Sequence, residues 1–289
     1  MSISFEGKVA IVTGAGGGLG RCHAIDLARR GAKVVVNDLG GAMDGTGGSS
    51  EAAKAVVEEI QAAGGEAIAN GGSVSDEQGA KSMVKDAMDA WGRVDILINN
   101  AGILRDKSFA KVTLEDFRAV VEVHLMGAVM VTREVWPIMR EQNFGRIVMT
   151  TSPSGLFGNF GQTNYGAAKL GLVGFMNTLK IEGAKNNIHT NAIAPVALTR
   201  MTEGLIPEDA GRNLGPELIT PAVTFLCSDD APNGVVVQAA GGNFSIAAIV
   251  ENQGANLGPD ASAEDVAEAW ERIADLSGAK PRNMLQLGG

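Results

Sequence analysis

Short apolar runs alternate with longer amphipathic stretches along most of the chain. KVAIVT (8–13), KVVVND (33–38) and RIVMTTS (146–152) are apolar over several consecutive positions. Runs of this length are too short for helices and are typical of strands buried on both faces of a parallel sheet. The stretches between them have helical periodicity and often end near glycine. Strands alternating with helices from residue 8 to 240 predict an α/β fold, a Rossmann-type doubly wound parallel sheet with helices on both faces.

Three segments depart from a simple alternation. Residues 39–50 are rich in glycine, and we interpret them as a flexible surface loop. Residues 113–141 have a long helical pattern in which Pro137 predicts a kink or break. Residues 196–215 follow a strand but lose the apolar periodicity, which makes them a candidate substrate lid.

Length and charge narrow the class of protein. With 289 residues the chain can form one large domain, which we place at 1–245, and a C-terminal helical extension at 246–289 that packs on this domain or on a partner subunit. The net charge of −9 without a basic face argues against nucleic acid, and the apolar runs are too short to span a membrane. Cys22 and Cys227 lack metal-ligand spacing and are expected to be free thiols. With no signal peptide in the sequence, these features favour a cytoplasmic protein without a metal site.

A glycine-rich turn follows the first strand and leads into a helix. In GAGGGLG (14–20) the glycines permit a tight turn and allow backbone N–H groups to approach a pyrophosphate at the helix N-terminus. Asp38 ends the next strand, where an acid accepts hydrogen bonds from the adenosine ribose in dinucleotide sites. Its charge would repel a 2′-phosphate, and no basic residue follows it before Lys54. The pattern favours NAD over NADP.

The chain has a single tyrosine, and a lysine follows it four residues later. On a helix this spacing places Tyr165 and Lys169 on one face. A cation beside a phenol lowers the pKa of the phenol, which makes proton exchange with an alcohol feasible. Ser152 ends the preceding strand and could donate a hydrogen bond to a carbonyl or alcohol oxygen. An ordinary Tyr–Lys pair on a helix surface is the alternative.

The position of these residues at strand ends favours the catalytic interpretation. Ligands of a doubly wound sheet bind outside the carboxyl ends of its strands. Gly14, Asp38, Asn100, Ser152 and Pro195 all fall at that edge.

Three motifs together resemble the short-chain dehydrogenase/reductase superfamily: TGAGGGLG (13–20), NNAG (99–102), and Ser152 with YxxxK (165–169). NDLGG, NNAGILRDKSFAK, VHLMG and the tail SAEDVAEAWERIADLSGAKP are similar to the (3R)-hydroxyacyl-CoA dehydrogenase module of peroxisomal multifunctional enzyme type 2 (17β-hydroxysteroid dehydrogenase type 4-like) and to its bacterial single-domain relatives. The resemblance covers nearly the whole chain. It implies an oxidoreductase of fatty acid metabolism that forms a homodimer or homotetramer.

The resemblance also implies a role for each matching residue. Tyr165 would be the acid/base, Lys169 would lower its pKa and bind the nicotinamide ribose, and Ser152 would orient the substrate oxygen. Ser152 and Tyr165 would therefore also bind substrate. The cofactor-binding residues it implies are Gly14, Gly18, Leu19, Gly20, Asp38, Ser73, Val74, Asn100, Tyr165, Lys169, Ala197 and Thr199.

The sequence departs from the family pattern at three positions. Many members have asparagine where VHLMG has His124. We interpret His124 as its catalytic substitute, with a packing role as the alternative. Val196 follows Pro195 where glycine is usual, and Ser73 replaces an aspartate of many relatives.

The expected reaction is NAD-dependent interconversion of (3R)-hydroxyacyl-CoA and 3-oxoacyl-CoA. The alternatives are a 17β-hydroxysteroid dehydrogenase, a 3-oxoacyl-carrier-protein reductase and a non-catalytic NAD-binding protein. Coenzyme A is polyanionic, so an acidic enzyme needs a local basic rim to hold it. The candidates for this rim are Arg105, Lys107, Lys111, Arg200, Lys280 and Arg282.

Overall fold

A computed structural model describes residues 2–49, 51–199 and 214–281. Its contacts divide the chain into two compact units, Met1–Ile246 and Ala247–Gly289. The central sheet has eight strands in the order β3-β2-β1-β4-β5-β6-β7-β8. The strands are β1 Val9–Thr13, β2 Lys33–Asn37, β3 Glu66–Asn70, β4 Ile96–Asn99, β5 Gly145–Thr150, β6 Ile188–Val196, β7 Val236–Ala240 and β8 Asn243–Ala247.

The first seven strands pair in parallel, which confirms the predicted doubly wound sheet. Every residue of β1, β4 and β5 is buried, as the continuous apolar runs predict for strands covered on both faces. Strand β1 lies between β2 and β4, with Ile11 opposite Val35 on one side and Leu97 on the other. The strand order reverses between β1 and β4, and the crevice at this point is where open α/β sheets bind ligands.

Helices connect the parallel strands. They are α1 Gly18–Arg29, α2 Glu51–Ala62, α3 Glu77–Trp91, α4 Leu114–Val121, α5 Gly127–Gln142, α6 Pro153–Phe157, α7 Thr163–Gly183 and α8 Thr220–Leu226. None of the helices in the described ranges is long and apolar enough to cross a membrane.

The helical pattern predicted at 113–141 is interrupted in the structure, but the interruption does not lie at Pro137. Helix α5 continues through Pro137, so a break there is wrong, whereas a kink at this position stays a prediction. Val135 and Met139 on either side of the proline are buried, and this packing offsets the lost hydrogen bond. The interruption lies instead at Glu122–Met126, which forms a π turn between α4 and α5.

Two other elements also differ from the sequence prediction. The sequence predicts one helix over residues 216–228, but the structure has a 3₁₀ turn, Pro216–Leu218, followed by the shorter α8. The sheet gains β8 beyond the strand predicted to be last, after a turn at Gly241 and Gly242, which both have positive φ. Adjacent residues with positive φ are typical of a tight hairpin turn.

The second unit contains short elements. Strands β9 (Val250–Glu251) and β10 (Lys280–Pro281) pair antiparallel, and helices α9 (Ala263–Glu268) and α10 (Trp270–Ala274) lie between them in sequence. Ser262 and Asp265 form a capping box at the start of α9. The packing expected of this extension, on the first domain or on a partner, stays a prediction.

His23 is a buried ionisable residue of the first unit. It lies on α1, and its Nδ1 is 3.0 Å from Oγ1 of Thr220. Its Nε2 is buried without a hydrogen-bond partner among the described residues. Burial lowers the pKa of His23 to about 4, against a smaller opposing effect of the Asp26 carboxylate. The folded chain therefore holds this imidazole neutral.

We expect His23 to weaken the fold as the pH falls from about 6.5 to about 4. In this window the unfolded chain binds a proton that the folded chain does not, which removes roughly 3 kcal/mol of unfolding free energy. His23→Gln should therefore flatten the acid side of the stability curve measured by urea unfolding. Burial also lowers the pKa of the half-buried His189, by less, so His189→Gln is the comparison and should flatten the curve less than His23→Gln. A His23→Gln curve parallel to that of the wild type would contradict this prediction.

Candidate active site

A cavity of about 630 Å³ lies at the carboxyl ends of the central strands. Its described lining includes the glycine-rich turn, Asp38, residues 72–75 after β3, and residues 100–103 after β4. Helix α4 and the start of the π turn contribute Ala119, Glu122 and Val123. Of the residues predicted at the strand ends, Gly14, Asp38 and Asn100 line this cavity, whereas Ser152 and Pro195 lie outside its described lining.

Two glycines of the turn keep this cavity open. Gly14 has a φ of 64°, and a Cβ there would lie 2.8 Å from Cα of Ala101. A Cβ on Gly16 would lie 2.8 Å from Oδ2 of Asp38. Helix α1 begins at Gly18 without a side-chain cap, so its first N–H groups face the turn as an anion site requires. The turn therefore fits a dinucleotide pyrophosphate.

Asp38 is held between two backbone segments. Its Oδ2 accepts a hydrogen bond from the N–H of Gly16 at 2.7 Å, and its Oδ1 accepts one from the N–H of Gly40 at 2.6 Å. These contacts fix the carboxylate beside the glycine-rich turn. It is thus placed to meet the ribose of a dinucleotide whose pyrophosphate lies at α1.

The side chains of Asn100 and Thr13 join the ends of β1 and β4. Asn100 Nδ2 donates to the carbonyls of Thr13 and Gly14, both at 3.0 Å. Thr13 Oγ1 accepts from the N–H groups of Asn100 at 3.0 Å and Ala101 at 3.1 Å. The amide of Asn100 thus braces the floor of the cavity. This bracing role is seen directly, whereas contact with a cofactor stays a prediction.

The loop after Asp38 closes one side of the cavity. The N–H of Leu104 donates to the carbonyl of Met43 at 2.9 Å, and Arg105 Nε donates to the carbonyl of Asp44 at 3.0 Å. Gly45 packs closely on Ile103, since a Cβ there would lie 3.2 Å from the isoleucine side chain. The loop is thus attached to the segment after β4 through two of its carbonyl groups, although most of its residues are exposed, and its flexibility stays a prediction.

Ser152 and Tyr165 meet at the end of β5. Ser152 is buried and caps α6, and its hydroxyl is hydrogen-bonded to Tyr165 at the start of α7. Burial raises the pKa of Tyr165, the Ser152 hydrogen bond lowers it, and the charge of Asp106 raises it further. The sequence-predicted pair is therefore in place, with its phenol held in the protonated form.

Lys169 lies one turn after Tyr165 and is buried. Its Nζ donates to the carbonyl of Thr150 at 2.5 Å and is 5.4 Å from the centroid of the Tyr165 ring. Burial lowers the pKa of Lys169 to about 7. The shift in the pKa of Tyr165 arises from burial, Ser152 and Asp106. The lowering of this pKa by Lys169, which the spacing of the two residues predicts, therefore stays a prediction.

His124 lies on the π turn and contacts Tyr165. Its ring packs edge-on against Tyr165, with 5.2 Å between the ring centroids. Its Nε2 is 2.7 Å from the carbonyl oxygen of Ile103 and 3.0 Å from the N–H of the same residue. A proton on Nε2 would donate to this carbonyl, whereas a proton on Nδ1 would leave Nε2 to accept from the N–H. The buried Nδ1 has no hydrogen-bond partner among the described residues, and it is an acceptor in the first of these two tautomers.

A second, much smaller cavity connects His124 with Lys169. Its volume is about 10 Å³, and Asn99, Ala101 and Thr13 also line it. This is close to the smallest space that holds one water molecule. Burial and the Lys169 charge both keep the pKa of His124 well below its usual value. The imidazole is therefore neutral and can accept a hydrogen bond.

The remaining predicted residues occupy different places. Leu19, Ser73, Val74 and Thr199 line the large cavity. Gly20 and Ala197 are buried outside its described lining, and a Cβ on Gly20 would strike the carbonyl of Gly14 at 2.3 Å. Ser152 and Tyr165 likewise lie outside that lining.

Two of the four candidates for the basic rim that the structure describes are paired with one carboxylate. Arg105 and Lys107 both bind the carboxylate of Asp116, at 3.3 and 2.8 Å. Asp106 between them accepts a hydrogen bond from Gln162 at 2.6 Å. Most of the candidate lid, together with Arg200 and Arg282, lies outside the described residues.

Sequence reasoning missed several contributors to the site. Thr150 binds Lys169 through its backbone carbonyl, which no residue pattern reveals. Gly102 makes room for His124, because a Cβ at that position would lie 2.2 Å from the imidazole Cε1. A glycine at a strand end, after two asparagines and an alanine, could have suggested close packing, but it does not indicate which residue packs there.

Comparison with known proteins agrees with this geometry. The family profile described as short chain dehydrogenase matches residues 8–210. A short-chain type dehydrogenase/reductase of Mycobacterium tuberculosis is 54% identical over 95% of this chain and 96% of its own length. The peroxisomal multifunctional enzyme type 2 of Mus musculus is 48% identical over 99% of this chain, which spans only 39% of that enzyme.

A solved structure extends the comparison to a bound cofactor. The 7α-hydroxysteroid dehydrogenase complexed with NADH and 7-oxo glycochenodeoxycholic acid matches with a TM-score of 0.75 and 33% sequence identity, over 83% of this chain and 95% of that one. The family profile covers most of the sheet, and the structure contains the glycine-rich turn together with Ser152, Tyr165 and Lys169. The chain therefore belongs to the short-chain dehydrogenase family and is an oxidoreductase.

Proposed function

We propose that this oxidoreductase is NAD-dependent and interconverts (3R)-3-hydroxyacyl-CoA and 3-oxoacyl-CoA. The reaction type is inferred from the hydrogen bond between Ser152 and Tyr165, with the buried Lys169 near the Tyr165 ring. A cavity that fits a dinucleotide lies next to this group. The substrate class rests on the resemblance to the multifunctional enzyme type 2 branch, which extends over 99% of this chain. A homodimer or homotetramer, which the same resemblance implies, remains a prediction.

The described residues fit a nicotinamide dinucleotide. The pyrophosphate would lie at the start of α1, the adenosine ribose at Asp38, and the nicotinamide ribose near Lys169. Bound there, the nicotinamide ring would supply the hydride acceptor or donor. The 630 Å³ cavity also falls within the usual range for ligand sites.

Ser152 and Tyr165 would handle the substrate oxygen. The serine hydroxyl, held in place as the cap of α6, would orient the hydroxyl or carbonyl group of the substrate. The phenol would exchange a proton with that oxygen at its own Oη. Its raised pKa keeps it protonated, which suits donation to a 3-oxo group. In the oxidative direction the same oxygen must first lose its proton.

His124 and Lys169 offer a route for that proton. A water molecule in the small cavity could donate to Nδ1 of His124 and accept from Nζ of Lys169. With a pKa of about 7, Lys169 can release or take up a proton near neutral pH. His124 would then replace the asparagine of other family members by binding the water through its side chain.

Two alternatives differ in substrate and keep the same chemistry. A steroid substrate is favoured by the likeness to the 7α-hydroxysteroid dehydrogenase, and a carrier-protein ester would need a protein-docking surface. The pairing of Arg105 and Lys107 with Asp116 weakens the argument for a basic rim made from these two residues. Substrate kinetics therefore decides among the three.

Purified protein should oxidise (3R)-3-hydroxybutyryl-CoA and longer (3R) homologues with NAD, and leave the (3S) epimers unreacted. Initial rates of NADH formation measure this, with a 17β-hydroxysteroid and a 3-hydroxyacyl-carrier protein tested in parallel. We expect kcat/KM for the CoA thioesters to be at least about tenfold higher, a difference of about 1.4 kcal/mol in transition-state binding. A steroid turned over more efficiently than every thioester would replace this proposal.

Tyr165→Phe should keep the fold and NAD binding but lose all but a few per cent of the turnover, because the proton-exchanging oxygen is removed. Single-turnover kinetics and calorimetric NAD binding separate the two effects. Phe157→Tyr, at an exposed position on nearby α6, controls for a change of one hydroxyl group. Substantial residual turnover in Tyr165→Phe would refute the assigned role.

NAD should be preferred over NADP by about tenfold or more, because a 2′-phosphate would be repelled by the Asp38 carboxylate. Asp38→Asn should reduce this ratio chiefly by improving the kcat/KM with NADP. Asp44→Asn, in the adjoining loop, is the matched control. Equal kcat/KM for the two cofactors in the wild type would show that Asp38 does not select between them.

A further inference from the structure

The first turn of α7 carries Tyr165 but is not capped by the residue that precedes it. The helix begins at Thr163, and the side chain of Gln162 makes no capping hydrogen bond to the first turn. The first N–H groups of a helix lack intrahelical partners, so an uncapped first turn is weakly held. Tyr165 is the third residue of this helix, and contacts with other segments must therefore hold it in place.

The segment that leads into α7 has little rigidity of its own. Gly158 ends α6 with a φ of 84°, and Gly161 has a φ of 81°. Glycine adopts this left-handed conformation without steric cost, but it also has the most conformational freedom to lose. Ser152 caps the helix before these glycines, and Tyr165 lies on the helix after them. The contact between Ser152 and Tyr165 thus depends on how the segment between the two helices is held.

Three hydrogen bonds hold the start of α7 against residues 105–107, which follow β4 in sequence. In two of them residues 105–107 contribute a backbone group. The N–H of Lys107 donates to the carbonyl of Gly161 at 2.9 Å, and Asn164 Nδ2 donates to the carbonyl of Arg105 at 3.1 Å. Because Asn164 is fully buried, water does not compete for its amide.

The third hydrogen bond joins two side chains. Gln162 Nε2 donates to Oδ2 of Asp106 at 2.6 Å, and Gln162 Oε1 accepts from Asn159 Nδ2 at 3.0 Å. Gln162 is buried, and both ends of its amide are bound, so the orientation of this side chain is fixed. Hydrogen bonds to a charged group are stronger than those between neutral groups. The position of Gln162 therefore depends chiefly on Asp106.

We propose that Asp106 and Gln162 position Tyr165 for proton exchange by fixing the start of α7 against the segment after β4. They are positioning residues, which act on the reaction through Tyr165. The proposal rests on the proposed function, because it concerns the placement of the tyrosine that exchanges the proton. A displacement of about 1 Å can cost roughly 100-fold in rate. Loss of this contact should therefore reduce turnover more than NAD binding.

Asp106→Ala and Gln162→Met each remove one partner of this hydrogen bond. Each should lower the single-turnover rate of (3R)-3-hydroxybutyryl-CoA oxidation at least about tenfold, while the calorimetric affinity for NAD stays unchanged. The double variant should lose no more than the larger single loss, because both changes break the same contact. Losses that multiply in the double variant would show that the two residues act independently, and would overturn the proposal.

Asp106→Asn is the conservative variant. Its side-chain oxygen can still accept from Gln162, so it should recover most of the rate lost in Asp106→Ala. The charge of Asp106 raises the pKa of Tyr165, so rates are compared at the plateau of each pH profile. Asp89→Ala is the control that should keep the wild-type rate, since it removes an exposed carboxylate paired with Lys85 on α3.

The proposal also fails if Asp106→Ala keeps the wild-type rate, or if Asp106→Asn is as slow as Asp106→Ala. Urea unfolding checks that the variants fold, and if Asp106→Ala does not, a wild-type rate in Gln162→Met overturns the proposal equally. A wild type that oxidises the 17β-hydroxysteroid but no thioester would replace the substrate of the proposed function, and the variants are then compared on the steroid. A wild type inactive with both would remove the proposed function, and this inference with it.

Discussion

The site depends on the hydrogen bonds that join the ends of β1 and β4. Thr13 and Asn100 exchange contacts through both side chains and backbone, so the glycine-rich turn and the segment after β4 hold each other in position. The strand order reverses between these two strands, and the crevice there would otherwise be lined by unpaired backbone groups. One threonine and one asparagine satisfy these groups and leave the cavity above them open.

Burial controls the electrostatics of Tyr165, Lys169 and His124. Lys169 and His124 both have lowered pKa values, and Tyr165 has a raised one, because all three are removed from water and the described residues place no carboxylate in contact with the lysine. Holding a lysine in this environment opposes folding, since the unfolded chain binds its proton more readily. The hydrogen bond to the Thr150 carbonyl offsets only part of this effect. The arrangement is one that favours proton transfer over stability.

Much of the fold could be predicted because buried parallel strands produce continuous apolar runs that end at glycine or polar residues. The strand-end positions of Asp38, Ser152 and Asn100 followed directly from this pattern. Contacts between segments distant in sequence could not be predicted in the same way. The docking of Met43 on Leu104 and the shift of the helix interruption away from Pro137 depend on tertiary packing, which local periodicity does not encode.

The close contact between Gly102 and His124 restricts how this sequence can change. Any side chain at position 102 would strike the imidazole, and the ring cannot move away because it is bound to Ile103 and packed against Tyr165. A smaller residue at 124 would relieve the clash. Substitution at 102 is therefore tolerated only after substitution at 124, and the two positions form an epistatic pair in which the order of mutation matters.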